Sequence, residues 1–390
     1  MSAIPKDFEY ERPAYVPPTT RSASLIATPL QGVSGFGEGS QLTFPLVQRG
    51  FLCPQSAYVC ATVNVQKAAA GTLTILGACP ATAWISRCDT QLQSVVVESL
   101  TNYNLLYNML VSSKMSLGDK QGLSFPFAIN NAGVVDSFQN MDSFITVGAG
   151  AAGDAYAVQV AFPLGCLLTN CEKYVPLSGM ESRITLTVDS LANFAVNAQN
   201  LSISNVSLHY DIIEFDPATE QAIVQSQADE AGDLWLKSQS YQLSSAPIVG
   251  GGASVNVEIP YASSLTSIKS LYTMFGYSNS NGKLFASYDP TNGNGSIQWT
   301  IAGRPFPETQ ILTNIRRPQL QMEFMGAIYG TKDAILASKT CMTYDNTRYA
   351  SELNSGTDVT SNISKTFFGC NTETISKATG VMLSGVSSHN

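Results

Sequence analysis

Charge is what this chain has least of: Lys, Arg, Asp and Glu together make up 13% of its 390 residues, about half the ~25% of an average soluble domain. The apolar share stays ordinary at 44%, which excludes a disordered tail protein, since that needs low hydrophobicity and a high net charge to remain unfolded. The few charges lean acidic, 29 against 21, giving a net charge of −8. Phosphate binding is built from clustered Lys and Arg, so neutralising nucleic acid is not the main task. A monomer of this size keeps its surface charged and mixed, whereas interface centres are depleted of charge. Much of this surface is therefore expected to face other subunits.

Histidine is scarce as well, with His209 and His389 alone in the chain. His209 lies on the strand face opposite Leu208 and Tyr210, far in sequence from any cysteine, and His389 is next to the last residue. Neither has the neighbours that acid–base or metal chemistry needs. The eight cysteines (Cys53, Cys60, Cys79, Cys88, Cys166, Cys171, Cys341, Cys370) are too sparse for a disulfide scaffold, and none forms a C-x-x-C pair. Between Met1 and Tyr15 there is no apolar run resembling a signal peptide, so reduced, buried thiols are expected. The alternative is a disulfide such as Cys166 to Cys171. The sequons at Asn200, Asn205, Asn294 and Asn362 are discounted on the same ground. No stretch approaches the ~18 uninterrupted apolar residues of a membrane span. No catalytic residue, metal or cofactor is expected.

Three motifs invite a chemical reading and fail it on context. Gly148-Ala-Gly150-Ala-Ala-Gly153 satisfies G-x-G-x-x-G, yet the residues after it, Ala155 to Phe162, alternate as a strand, where a dinucleotide fold needs a helix whose amides hold the pyrophosphate. Asp289-Pro-Thr-Asn292-Gly293-Asn294 lacks the sixth-position glycine and the twelfth-position glutamate of an EF-hand. Asp229, Glu230 and Asp233 sit in a polar stretch and read as a solvated cluster.

What the chain does have is period-2 alternation: Leu42, Phe44 and Leu46; Val59, Ala61, Val63 and Val65; Ile184, Leu186 and Val188; Val206, Leu208, Tyr210 and Ile212; Val255, Val257 and Ile259; Ile297, Trp299 and Ile301; Leu320, Met322 and Phe324. These rows predict half-buried strands, and the turn-forming clusters between them (Gly250-Gly251-Gly252, Asn281-Gly282, Asp289 to Gly295) predict an all-β sandwich architecture. Two segments break the pattern. Leu100, Tyr103, Tyr107 and Leu110 fall at helical spacing and predict a helix over Glu98 to Ser112. Asp216-Pro217 opens a second helix running to about Ala228, because the carboxylate can cap free amides and proline suits the first turn. Polar, and set between two β regions, it reads as an interdomain connector.

The run Ile85-Ser-Arg-Cys-Asp-Thr-Gln-Leu, continued by Val95-Val-Val-Glu-Ser-Leu-Thr-Asn-Tyr-Asn-Leu-Leu-Tyr-Asn-Met-Leu, resembles the first half of double jelly-roll major capsid proteins. Ile259-Pro-Tyr-Ala-Ser-Ser-Leu, then Ile268 to Phe275 and Ser296-Ile-Gln-Trp-Thr-Ile-Ala-Gly-Arg-Pro-Phe-Pro307, is similar to the second jelly roll in the polinton, polinton-like virus and virophage group. Phe162-Pro-Leu to Tyr174-Val-Pro-Leu, with Arg183-Ile-Thr-Leu-Thr, is similar to the stretch before the last strands of the first roll. Together these segments cover most of residues 41 to 350, in the right order.

The resemblance implies an N-terminal arm (1–40), a first jelly roll (41–214), a connector with a short helix (215–235), a second jelly roll (236–372) and a tail (373–390). It implies a shell-building protein, not an enzyme. Three chains would form a pseudo-hexameric capsomer, and capsomers would tile an icosahedral virion with penton and minor capsid proteins as further partners. The arm carries just Lys6, Arg12 and Arg21 against Asp7, Glu9, Glu11 and Glu38, so tight nucleic-acid binding is not expected. Residue type and position nominate Trp235, at the connector's end, and the Arg316-Arg317 doublet as subunit contacts. Two other classes stay open: a carbohydrate-binding or adhesive β protein using Tyr272, Tyr277 and Tyr288, and a carboxylate-based glycoside hydrolase.

Overall fold

The computed structural model describes residues 20–32, 34–75, 80–107, 145–227, 236–244, 256–261, 265–274, 296–312, 367–372 and 386–388. The architecture is all-β. In chain order the strands are β1 (Arg21–Ala27), β2 (Ser34–Phe36), β3 (Gln41–Pro45), β4 (Phe51–Leu52), β5 (Tyr58–Lys67), β6 (Gly71–Ile75), β7 (Ile85–Leu92), β8 (Val95–Thr101) and β9 (Ile145–Gly150). They continue as β10 (Ala155–Pro163), β11 (Val175–Pro176), β12 (Ser182–Val188), β13 (Ala195–Val196), β14 (Ala198–Glu214), β15 (Ser270–Met274), β16 (Ser296–Ile301), β17 (Arg304–Leu312) and β18 (Phe367–Asn371). Helices are few: α1 (Leu191–Phe194), α2 (Pro217–Gln227) and a helical stretch at 103–107.

Two antiparallel sheets enclose one core. The larger runs β10-β5-β14-β4-β11, with β1 and β2 also paired to β14, and the smaller runs β3-β12-β7-β8. Alternation decides which side chains meet: Val59, Ala61, Val63 and Val65 of β5 face inward, as do Leu42 and Phe44 of β3 and Ile184, Leu186 and Val188 of β12. Each of the Val, Leu, Ile and Phe side chains among them contributes about 1.5–3 kcal/mol by leaving water. Cross-sheet contacts pin the layers, with Trp84 packed edge-on against Phe162 and the Tyr210 hydroxyl accepting from Val47 N at 3.1 Å. A third sheet, β13-β6-β9, and the two-stranded pairs β15-β18 and β16-β17 complete the described strands.

β14 is long because it carries two bulges. Its pairing with β5 slips between Gln199 and Ser202 and again between Ser204 and Ser207, and Asn200 and Asn205 there hold φ of 55° and 51°. Asparagine tolerates this left-handed region better than other residues with a side chain beyond alanine, which suits it to a bulge. The second bulge switches the buried row from odd positions (Leu201, Ile203) to even ones (Val206, Leu208, Tyr210, Ile212) without turning any of them outward.

Three expectations change. Glu98–Thr101 belongs to β8, and helix begins only at 103: Asn102, at φ 50°, turns the chain, so Leu100 and Tyr103 share a core though they share no helix face. Val257 and Ile259 are exposed and lie in no strand. Residues expected in an arm form β1 and β2, paired along β14 from Arg21↔Glu214 to Ala27↔Leu208 and at Ile203↔Phe36. The row at Leu320, Met322 and Phe324, Val255, and the three turn clusters lie outside the described residues.

The helix expected at Asp216-Pro217 is α2. Asp216 Oδ2 accepts from Thr219 N at 3.1 Å and Oδ1 accepts from Thr219 Oγ1 at 2.7 Å, satisfying an amide that the first turn leaves without a helical partner. Asp216→Ala is expected to cost about 1 kcal/mol, read as a lowered midpoint in urea denaturation followed by circular dichroism.

Candidate assembly surface

The larger sheet turns one face to the core and the other outward, and the outward face is unusual in composition. Across β5 and β10 the outward pairs are Tyr58↔Pro163, Cys60↔Ala161, Thr62↔Gln159, Asn64↔Ala157 and Gln66↔Ala155. β14 sets His209, Ser207, Ser204 and Ser202 opposite Tyr58, Cys60, Thr62 and Asn64, while β1 sets Ile26 and Ser24 opposite His209 and Asp211. Along these outward rows of four strands Asp211 is the one Asp, Glu, Lys or Arg, and its Oδ1 accepts from Ser24 Oγ at 2.5 Å. The solvated face of an antiparallel sheet is ordinarily polar, with charges interspersed.

An aromatic and aliphatic row crosses this face. Tyr58 stacks flat on His209, ring centroids 4.7 Å apart at 9°, and Ile26, across β14 from Tyr58, is 64% exposed. His209 Nε2 lies 3.0 Å from Ser207 Oγ. His209 is thus part of the sheet's outer face, as its place opposite Leu208 and Tyr210 predicts. The second exposed apolar group lies on the other sheet. Gln93 and Ser94, at φ 48° and 66°, make the tight turn between β7 and β8, and the Val95, Val96 and Val97 that follow are all exposed, Val95 at 63%.

Behind the β7–β8 turn sits a buried carboxylate. Glu98 is 5% exposed; its Oε2 accepts from Thr90 Oγ1 at 3.1 Å and from Leu167 N at 2.6 Å, and its Oε1 accepts from Ser240 Oγ at 2.6 Å. Burial pushes its pKa up, and the three hydrogen bonds hold it back in part. Ser240 belongs to residues 236–244, which lie along the 165–173 loop as a strap. Ser238 Oγ donates to Leu167 O at 2.5 Å, Asn170 Nδ2 donates to Gln239 O at 3.1 Å, and Lys237 Nζ pairs with Glu172 at 2.9 Å. Leu236, Tyr241 and, from β15, Tyr272 pack against the same core. Burial holds the Tyr241 hydroxyl up at about 12, with the Glu98 charge adding to it.

The sulfur chemistry is quiet. Cys53, Cys60, Cys88, Cys166, Cys171 and Cys370 are free thiols, so Cys166 and Cys171 are not bridged. Burial raises the Cys88 and Cys166 thiols, which keeps them protonated and unreactive. The G-x-G-x-x-G segment closes a turn between β9 and β10: Asp154 Oδ2 accepts from Ala151 N at 2.8 Å. A Cβ on Gly150 would stand 2.5 Å from Asp154 Oδ2 and 2.7 Å from Lys67 Nζ, so a larger residue there would have to displace the ends of those two side chains. Lys67 is fully buried, its ammonium 5.1 Å from the centre of the Tyr156 ring. Among the described residues, no group of three or more His, Cys, Asp or Glu could hold a metal ion, and no helix is long and apolar enough to cross a membrane.

Trp235, Arg316 and Arg317 lie outside the described residues, as do Tyr277, Tyr288 and the Asp229, Glu230 and Asp233 cluster. Tyr272, taken from sequence as a loop aromatic, is a strand residue packed on the core and is unavailable for stacking on a sugar. The uncharged outer face was missed from sequence, although its signal was present: the residues between the buried positions of β5 and β10 are Tyr, Cys, Thr, Asn, Gln, Ala and Pro.

No protein-family model matches the chain, and no curated protein matches it. Among solved structures it is similar to VP54 of PBCV-1, fitted into a reconstruction of the virophage Sputnik, at 13% identity and a TM-score of 0.35, covering 56% of this chain and 48% of that one. It is similar to the Faustovirus major capsid protein at 10% identity and a TM-score of 0.35, covering 56% and 59%. For the mavirus major capsid protein the values are 11%, 0.29, 55% and 50%. The match thus spans about half the length of these structures. The Faustovirus and mavirus structures are major capsid proteins.

Proposed function

We propose that this chain is a major capsid protein whose place is the virion shell and whose work is self-association, with no enzymatic activity. The observation that supports it best is the outward face of the larger sheet, a folded surface almost without charge on a chain that is 13% charged throughout. A shell protein needs such surfaces because contacts with neighbours must desolvate them, and each unpaired charge left inside would be costly.

The finer reading follows the sequence resemblance. Residues 41–214 and 236–372 are the two jelly rolls, joined by the connector at 215–235, with 1–40 and 373–390 as arm and tail. β1 and β2 extend the first roll toward the N-terminus. Three copies make a pseudo-hexagonal capsomer that tiles an icosahedral shell with penton and minor capsid proteins. Trp235, Arg316 and Arg317 are contacts within it, and the genome is held without tight binding by this chain.

The test is the mass of the purified protein by light scattering at low and moderate salt, with negative-stain imaging of the same sample. A particle of three times 41.6 kDa with a hexagonal outline is expected. A monomer at both salt concentrations would overturn the reading.

A further inference from the structure

The strap of residues 236–244 is itself wet, while what lies under it is dry. None of its residues is buried, and Ser240, Gln242 and Ser244 are exposed. Beneath it Glu98 and Cys171 are both buried. The strap contributes no strand to either sheet, and β8, which carries Glu98, is the last strand of the smaller one. Both sheets are therefore complete without it. Its attachment is mainly polar. Ser240 Oγ donates to Glu98, Ser238 Oγ donates to Leu167 O and lies against the Cys171 thiol, Asn170 Nδ2 donates to Gln239 O, and Lys237 pairs with Glu172. Leu236 and Tyr241 touch the core but stay half-buried. On release such hydrogen bonds are exchanged for bonds to water, so each is worth little net, and an ion pair near the surface less. The titratable groups around Glu98 are Asp89 and Cys88 on β7, Cys166 and Cys171 in the 165–173 loop, and Tyr241 on the strap. None of these can carry positive charge, and the Lys237 ammonium is taken by Glu172. An ionised Glu98 is thus held by three hydrogen bonds while the strap is shut and by water once it lifts.

We propose that residues 236–244 form a latch that opens without unfolding the sandwich, uncovering Glu98 and the Cys171 thiol, and that ionisation of Glu98 favours the open state. Shut, the latch fastens the chain that follows α2 to the sandwich; open, it leaves both sheets in place. A segment held by few buried apolar contacts opens at far lower free energy than the fold it rests on. Closure gives the Glu98 carboxylate the Ser240 hydrogen bond but takes water from it, and the loss of water outweighs the bond, which is why burial leaves its pKa raised.

The test reads thiol accessibility in the folded, full-length chain with dithiodipyridine, a disulfide reagent that attacks thiols in mild acid as well as at neutral pH, each modified cysteine being located by peptide mapping. Cys88, wholly buried on β7, reports unfolding of the sandwich, and Cys171 reports the latch. Ser240→Ala removes one strap bond and is expected to raise the Cys171 rate about fivefold, the weight of a single hydrogen bond, with the Cys88 rate unchanged. Glu98→Gln is expected to lower the Cys171 rate by about as much at neutral pH and to match the wild type in mild acid, where Glu98 is protonated. The thiol's own titration cancels in the ratio of the two rates. Cys171 and Cys88 rates that rise together in Ser240→Ala would mean that the strap leaves only when the sandwich unfolds. A Cys171 rate that neither variant moves would mean that the thiol is reached without any opening, and either result overturns the latch. A Glu98→Gln variant that reacts faster at Cys171 than the wild type would show that the charge holds the strap shut, and overturns the coupling.

Discussion

Replacing Glu98 by alanine is expected to lower stability by roughly 3–5 kcal/mol, while glutamine at the same position leaves stability at neutral pH equal to or above that of the wild type. Three donors from three parts of the chain converge on this carboxylate: Thr90 Oγ1 on β7, Leu167 N in the 165–173 loop and Ser240 Oγ on the strap. Alanine removes their common acceptor and leaves them buried without it. Glutamine keeps the geometry. Its carbonyl accepts from Thr90 and Leu167, and its amide donates to Ser240 Oγ, since a serine hydroxyl serves either way. It also avoids placing a charge where burial penalises one.

The pH dependence has a definite sign. Burial raises the folded-state pKa of Glu98 above its unfolded value, about 4.3 for an ordinary glutamate. Between those two values the folded chain binds more protons than the unfolded one, so this group's contribution to stability falls as pH rises through the window and is flat above it. Acid therefore tightens the strap. Urea denaturation of the wild type and the glutamine variant at a series of pH values isolates the effect, because every other titrating group cancels in the difference. The variant should gain on the wild type as pH rises above the unfolded value. A glutamine variant as unstable as the alanine one would show that the negative charge itself holds the strap.

Glu98 also marks where sequence reading stops. Its partners Leu167 and Ser240 are 69 and 142 residues away, and nothing local distinguishes it from the other acids. The strands were readable because a half-buried strand writes its burial every second residue, as at Leu42 and Phe44 or Val59 to Val65. The helix predicted over Glu98 to Ser112 went wrong for a related reason. Leu100, Tyr103 and Tyr107 do converge on one core, but by a strand, a left-handed Asn102 and then a helix, and one-dimensional spacing cannot separate that path from a continuous helix. The outer face of the larger sheet was half readable, since its members alternate with core residues already identified, but that they form a continuous face is a fact of register between β5, β10, β14 and β1.

Register also gives the sharpest contrast among single changes: deleting Ser207 should destabilise the sandwich by roughly 3–6 kcal/mol, whereas deleting Asn205, two residues earlier in the same strand, should cost far less. At the Asn205 bulge, Ser204 and Asn205 together occupy one outward step between buried Ile203 and buried Val206. Removing Asn205 leaves Ile203 in, Ser204 out and Val206 in, a regular strand with the same core; what is lost is the local twist and a weak contact from Asn205 Nδ2 to Thr62 Oγ1 at 3.4 Å. Removing Ser207 offers no such exit. If the bulge stays, Leu208, Tyr210 and Ile212 rotate to the solvent face. If the bulge relaxes, those three remain inside, but Asn205 takes the buried place of Val206, exchanging an aliphatic side chain for an amide facing apolar neighbours. The cheaper route still consumes a large part of the 5–15 kcal/mol that holds a domain together. Urea midpoints of the two deletion variants decide it: near-equal losses would mean that the bulge is fixed by something other than the parity of the buried row.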